Sequence, residues 1–340
     1  MRAFVTGGTG LLGSNLVRQL VEAGYAVRAL VRDRQKAEQQ FVGLSVEVVK
    51  GDMTDVDGFA DALAGCDVLF HAAAYFREYS QPGDHWTTLQ KINVEGTVRL
   101  LEHAEKQGVS KAIYVSSSGV IGPRTDGGMA DESCPPGKLS YENLYFRSKV
   151  EAEKAVACFL ETHRMPVVHI LPGWMFGPGD AAPTDSGQII LDFLNGKLPG
   201  VLELPGRVSI VDARDVAAAM IQAVERGVSG ERYIVSGQSY SFAEVVQLLA
   251  KASGLPVPVL RIPYRVGMAM AWMIENFARL TDSRALMTTN GLRTLANDIF
   301  LSSARAESVL GFQARPFPET LRDEVVWFRS KKRAPTASQK

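Results

Sequence analysis

The sequence predicts an α/β protein: a doubly wound parallel sheet joined to a smaller, mostly helical C-terminal region that covers a substrate. Three observations predict it. Short apolar runs alternate with helical segments through the first half of the 340 residues. A glycine-rich turn, Thr6 to Gly13, follows the first run directly and opens the first helical segment. The alternation then breaks after Pro172, where loops and helices take over. Alternation of this kind builds βαβ units with right-handed crossovers and a sheet buried on both faces.

In chain order, Ala3–Thr6 is the first strand, and Gly13–Ala23 a helix with Leu16, Leu20 and Val21 on one side. Strands follow at Ala26–Val31, Val46–Val49 and Val68–His71, with a helical segment around Phe59–Leu63. Ile92–Lys106 is a helix, Lys111–Val115 a strand, Tyr145–Glu161 a helix and Val167–Leu171 a strand. Beyond Pro172, helical spacing marks Gln188–Asn195, Val216–Arg226, Phe242–Ser253 and Arg265–Leu280, while Arg232–Val235 returns to the sheet. Residues 1–171 thus form the sheet domain, completed by about 208–236; 172–207 and 237–330 form the substrate region. The basic, polar stretch 331–340 is expected to be a disordered tail.

Composition narrows the function. The 37 basic and 37 acidic residues cancel, which disfavours a nucleic-acid partner. The three cysteines are odd in number and widely spaced, and no H-E-x-x-H pair occurs, so neither a disulfide framework nor a metal site is expected. MRAFVTGG lacks the apolar core of a signal peptide, giving a cytoplasmic expectation. The longest apolar run, Val266 to Ile274, has nine residues, against the roughly 20 that a bilayer requires. No transmembrane segment is expected.

The chemistry begins at the glycine turn. Gly7, Gly10 and Gly13 allow positive φ and close backbone approach, and the helix start then offers the N–H groups of Leu11 and Leu12 to a pyrophosphate. A glycine turn can also be only a tight turn; its place between first strand and first helix argues for dinucleotide binding. At the end of the second strand an NAD protein carries an acid for the ribose. Here Val31 stands in that place and Arg32 follows, a cation suited to the 2′-phosphate of NADP. The alternative is a solvated Arg32 with Asp33 on the ribose, so NAD stays possible. Asp52 and Met53 are placed to meet adenine, with Thr54 or Asp55 free to cap the next helix. The small residues Ala72, Ala73 and Ala74 leave room for cofactor, and His71 reads as a packed strand-end residue.

Tyr145 and Lys149 stand one helical turn apart, an arrangement in which an ammonium favours phenolate and lets tyrosine exchange a proton with a carbonyl. Upstream, Ser116, Ser117 and Ser118 end the fifth strand, where a hydroxyl can hold the same oxygen. The serines can equally cap the turn.

Taken together, TGGTGLLG, GDMTD, HAAA, SSSGVIG, YFRSK and LPGWMFGPGD resemble the extended short-chain dehydrogenase/reductase superfamily. Within it the chain is similar to the NAD-dependent epimerase/dehydratase family, and most to its dihydroflavonol reductase and 3β-hydroxysteroid dehydrogenase branch. The resemblance implies a Rossmann sheet and a catalytic triad of Ser117, Tyr145 and Lys149. Ser117 lies five residues before Gly122, with Ser118 in reserve. It also implies that Lys149 holds the nicotinamide ribose beside Tyr145, that Asn93 has a cofactor-side or active-site positioning role, and that the nicotinamide lies against Pro172, Gly173 and Met175. Related proteins often dimerise through two helices, here Ile92–Lys106 and Tyr145–Glu161.

One departure bears on substrate. Sugar-nucleotide members carry an Arg and an Asn where this chain reads Leu171-Pro172-Gly173-Trp174; Arg207, Arg261 or Arg265 would have to receive phosphate instead. The covering segment offers Trp174, Phe176, Met268, Met270, Trp272 and Met273, with Tyr75 and Phe76 for an opposite wall. The expectation is an NADP-dependent oxidoreductase for a small apolar or aromatic carbonyl or alcohol. The alternatives are a nucleotide-sugar epimerase or dehydratase and a non-catalytic NADP-binding redox sensor; the paired Tyr145 and Lys149 argue against the sensor.

Overall fold

The protein is described by a computed structural model over residues 1–76, 84–281, 285 and 287–333. Strands β1 (Arg2–Thr6), β2 (Ala26–Val31), β3 (Val46–Lys50), β4 (Val68–His71), β5 (Lys111–Val115) and β6 (Val167–Pro172) alternate with helices. These are α1 (Leu11–Glu22), α2 (Arg34–Gln40), α3 (Trp86–Leu89), α4 (Gly96–Lys106), α5 (Lys138–Glu142) and α6 (Leu144–Thr162). Then come β7 (Trp174–Phe176), α7 (Asp185–Leu194), β8 (Val201–Glu203), β9 (Arg207–Asp212), α8 (Ala213–Arg226) and β10 (Arg232–Val235). The chain ends with β11 (Ser239–Ser241), α9 (Phe242–Ser253), β12 (Arg261–Pro263), α10 (Tyr264–Thr281), α11 (Thr289–Leu295) and α12 (Phe317–Arg333).

The main sheet has seven strands in the order β3-β2-β1-β4-β5-β6-β10, and every pairing is parallel. All four residues of β4, Val-Leu-Phe-His, are buried, as a central parallel strand requires. One face packs Val5, Ala29 and Val168 under Leu16, Leu20, Val216 and Met220 of α1 and α8. The other packs Phe4, Leu69 and Tyr114 under Leu100, Leu101, Val156 and Phe159 of α4 and α6. The strand order reverses between β1 and β4, so a crevice opens beyond Thr6 and His71, the usual ligand place of such sheets.

Three short elements depart from expectation. The helical segment around Phe59 is a 3₁₀ helix, Asp57–Leu63, held at its start by the Asp55 carboxylate, which accepts the Gly58 N–H at 3.2 Å. The helix expected from Ile92 begins at α3 and passes through a π-helical stretch, Gln90–Glu95, before α4. Within 208–236, β9 does not join the main sheet: it pairs with β7 and β11 in a three-stranded sheet of its own. What extends the main sheet is β10 on β6, with α8 packed over it.

The covering region has a separate core of Phe176, Ile190, Phe193, Val246, Leu249 and Ile262. Helix α12 completes it with Phe317, Leu321, Val325 and Phe328, a buried stripe at helical spacing. Of the tail expected at 331–340, Lys331 to Arg333 instead belong to α12, and 334–340 lie outside the described residues. Among the described residues, no helix is long and apolar enough to cross a membrane.

Candidate active site

Thr6 ends β1 in a chain of uncharged hydrogen bonds. Its Oγ1 lies 2.8 Å from His71 Nδ1 and accepts the Ala73 N–H at 3.2 Å. His71 Nε2 is 2.9 Å from Thr97 Oγ1 on α4. Burial, with Lys149 nearby, holds the imidazole pKa down to about 3. A neutral ring with both nitrogens engaged ties strand to helix.

The glycine turn leaves no room for side chains. Gly7 has φ +72°, and a Cβ there would stand 2.8 Å from Ala72 C and Ala73 N. A Cβ on Gly13 would stand 2.1 Å from Gly7 O. Gly10 opens α1 with no side-chain cap, so the helix start and its positive dipole end face the crevice. This cradle fits the pyrophosphate of a dinucleotide.

A cleft of about 910 Å³ runs from this turn across the carboxyl ends of the strands. Gly7, Gly10, Leu11, Leu12, Gly13, Arg32, Asp52, Met53, Ala72, Ala73, Ala74, Pro172, Gly173 and Met175 all line it, as do Ser117, Tyr145 and Lys149. Asn93 does not. Its side chain is taken up behind the wall: Oδ1 accepts the Tyr75 N–H at 2.8 Å, while Nδ2 donates to Tyr75 O and to Ser148 Oγ. The π-helical stretch turns it there, away from direct cofactor contact and into a place that fixes the segment leaving β4.

At the adenosine end, Val31, Arg32 and Lys36 line the cleft and Asp33 does not. Asp33 caps α2 by accepting the Lys36 N–H at 3.0 Å. Asp52 remains at the cleft, where its carboxylate also accepts the Thr54 N–H at 2.8 Å.

The catalytic candidates meet at the middle. Asn143 caps α6 by accepting the Tyr145 and Phe146 N–H groups, and so sets the direction from which Tyr145 enters. Tyr145 is half-buried, with the edge of the Phe76 ring 4.7 Å away, centroid to centroid. Lys149 is buried; its Nζ donates to Val115 O at 2.8 Å and to Tyr114 Oη at 3.4 Å, and lies 5.9 Å from the Tyr145 ring centroid. Burial pushes its pKa down to about 7, against the opposing charge of Glu153. The three serines diverge. Ser116 Oγ donates to Glu153 at 2.5 Å, whereas Ser117 Oγ accepts the Gly119 N–H at 3.1 Å and keeps its own proton to donate. Ser117 and Ser118 both line the cleft.

The substrate end has a hydrocarbon wall, with polar residues such as Asp185, Gln188, Asp192, Lys197 and Asn297 also lining the cleft. Tyr75, Phe76, Trp174, Leu202, Met270, Ile274 and Leu295 form the wall. The expected aromatic and methionine set divides: Phe176 and Met268 belong to the core of the covering region, and Trp272 and Met273 point outward, 62% and 56% exposed. Helical spacing gathered them on paper, but only one side of α10 faces the cleft. Arg207 lines the cleft yet is engaged, 2.9 Å from Glu244 and donating to Ser239 O. Arg261 and Arg265 are exposed and outside the lining.

Two residues of the site went unread in the sequence. Lys36 stands four residues after Arg32, and Glu153 four after Lys149. For Glu153 the spacing within α6 is visible but looks the same as an ordinary surface pair; for Lys36, which reaches the cleft from α2 while Arg32 precedes that helix, no spacing rule applies. Glu153 is instead half-buried, bonded to Ser116 and 3.2 Å from Arg232, and desolvation raises its carboxyl pKa.

Comparison with known proteins agrees with this geometry. The NAD dependent epimerase/dehydratase family matches residues 3–236. The chain is 33% identical over 334 residues to sterol demethylase protein B of Methylococcus capsulatus, covering 97% of this chain and 99% of that one. It is 29% identical over 335 residues to a 3 beta-hydroxysteroid dehydrogenase/Delta 5-->4-isomerase of Mycobacterium tuberculosis, covering 92% and 86%. Among solved structures, gox2253 superposes with a TM-score of 0.81 at 34% identity, covering 97% of this chain and 98% of the other.

Proposed function

This chain belongs to the NAD dependent epimerase/dehydratase family, and from that premise we propose that it is an NADP-dependent oxidoreductase. It interconverts a carbonyl and an alcohol on a small, largely apolar or aromatic substrate. The observation that carries the reading is the meeting of Ser117, Tyr145 and Lys149 in one cleft, between the dinucleotide cradle and a hydrocarbon wall.

When bound, the nicotinamide supplies hydride to a carbonyl carbon, or accepts it from the alcohol. Tyr145 gives its phenolic proton to the carbonyl oxygen and takes it back in the reverse direction. Ser117 donates a hydrogen bond to the same oxygen and fixes it. Lys149 presents its charge beside the Tyr145 ring and so favours phenolate. Tyr75, clamped by Asn93, and Phe76 against Tyr145 hold the wall beside the phenol.

NADP is supported over NAD by Arg32 and Lys36 at the adenosine end, with Asp33 turned to its capping bond. An apolar substrate is supported by the lining and by relatives whose names place them on sterols and steroids. Of the cations lining the substrate end, Arg207 is already committed to Glu244, while the exposed Lys197 remains to meet a diphosphate. A cytoplasmic setting and a homodimer through α4 and α6 go with the same proposal. Residues 1–171 with α8 and β10 are its cofactor half, the remainder its substrate half.

The test is turnover and thermal stabilisation in the presence of NADP or NADPH, with apolar ketones and alcohols in one series and nucleotide sugars in the other. Conversion in the apolar series is expected. Conversion of nucleotide sugars alone would overturn the reading in favour of an epimerase or dehydratase.

A further inference from the structure

Large exposed apolar residues are scattered singly over most of the surface, but on α10 they line up. Val266, Met273, Phe277 and Leu280 are 50%, 56%, 66% and 86% exposed, and their spacing puts them in one stripe. Trp272, Arg265 and Arg279 border the stripe on one side, all exposed. On the other side Met270 and Ile274 line the cleft. The segment before β12 also exposes Val259 (96%) and Leu260 (57%), followed by exposed Arg261. The helix holds a single acid, Glu275, which accepts the Thr289 N–H at 2.8 Å and its hydroxyl. This face is therefore apolar with a cationic border.

We propose that α10 docks the protein on an anionic phospholipid bilayer, with its stripe in the boundary between headgroups and acyl chains and its arginines on lipid phosphates. A contiguous apolar stripe of this kind on a soluble protein marks an interaction site, and an apolar face with tryptophan and flanking arginines is the pattern of an interfacial helix. A second copy fits less well. In a two-fold pair the same patch meets itself, bringing Arg265 and Arg279 towards their equivalents with no acid exposed on the helix to pair them. The docked helix carries the cleft mouth to the membrane surface, where Met270 and Ile274 continue the apolar path inward. Docking stands independently of the proposed substrate class; the route of substrate entry rests on it.

The full chain is mixed with vesicles of phosphatidylcholine alone or with phosphatidylglycerol, without substrate, and association is measured by sedimentation. Association is expected with the anionic vesicles, weakening as salt rises. Arg265→Gln with Arg279→Gln should lower partition by roughly twenty-five- to thirtyfold, about fivefold for each arginine, with NADP binding unchanged. In the unmutated protein, brominated lipid should quench a part of the tryptophan emission that is absent in Trp272→Tyr. Absence of association with anionic vesicles overturns the proposal. So does a dimer that Met273→Asp with Phe277→Asp converts to monomer while vesicles leave the protein in solution, since a second copy then covers the face. Because no substrate is present, a failure of docking and a failure of the oxidoreductase reading are seen separately.

Discussion

The two halves of the cleft are built by different means. On the cofactor side the backbone comes close: Gly7 and Gly13 have no space for a Cβ, α1 opens without a side-chain cap, and Ala72 to Ala74 bring the chain to the wall. On the substrate side, side chains from β7, α7, α10 and α11 converge from distant parts of the sequence. A site made of backbone tolerates few residue types and so leaves a readable pattern. A site made of hydrocarbon side chains tolerates many, and its shape is fixed only by packing.

The largest expected effect lies where the halves meet. Tyr145→Phe removes the transferable proton and keeps the ring, so turnover should fall by roughly 10²–10⁴ while NADP binding holds. Turnover within a few-fold of the unmutated protein, measured at saturating cofactor, removes the tyrosine from the chemistry. Next comes the cofactor side. NADP should bind more tightly than NAD, and Arg32→Asp should reverse the order by about tenfold to a hundredfold. The exposed position of Arg32 lets solvent reduce this towards a few-fold. Calorimetric titration with both cofactors gives the answer, and equal affinities would sink the assignment.

A smaller effect is expected across the hydrocarbon wall. Met270→Ala should weaken transition-state binding of an apolar substrate by about tenfold or somewhat more, since a few methylene equivalents are worth about 1–3 kcal/mol. NADP affinity should not change. An equal loss for both ligands in steady-state kinetics would mean that the halves are mechanically one.

The smallest effect concerns stability. His71 and His169 are buried and held neutral, with pKa values of about 3 and about 4 against an ordinary 6.5. Between those values the unfolded chain binds protons that the folded chain refuses, so stability falls as pH falls from about 6.5 towards 4. His169→Phe should flatten that decline, visible as a Tm a few degrees less sensitive to acid. An unchanged slope would show that other groups govern acid unfolding.

These contrasts explain what the sequence disclosed. Strands β2, β4, β5 and β10 are legible to the residue because apolar β-branched and aromatic runs stop at turn residues. The residues expected on the cofactor line the cleft, apart from Asn93. Asn93 lies in a π-helical stretch that no spacing rule announces, and its amide is bonded to Tyr75 and Ser148, the positioning alternative and not the cofactor side. Trp272 and Met273 fail for a related reason. Periodicity gives a helix an apolar side but does not say whether that side meets a core or solvent. Helix α12 showed its stripe of Phe317, Leu321, Val325 and Phe328, but charged residues between them concealed it.

The path of the chain has a consequence for its making. The polypeptide leaves the main sheet at Pro172, lays down β7, β8 and β9, and returns only at Arg232 to add β10 beside β6. Phe317 then closes on Phe176 from the far end, and Glu324 accepts the Gly177 N–H at 2.8 Å. On the ribosome, β6 can pair with β5 at once, but its outer edge waits for β10 through the whole synthesis of β7 to α8. Phe176 lacks its Phe317 contact until α12 emerges. The two halves do not fold as successive beads on a string; they close together, late, through contacts of long sequence separation, which slows folding. A nascent chain arrested before Phe317 should be an early target for proteolysis even though its cofactor cradle has already been translated.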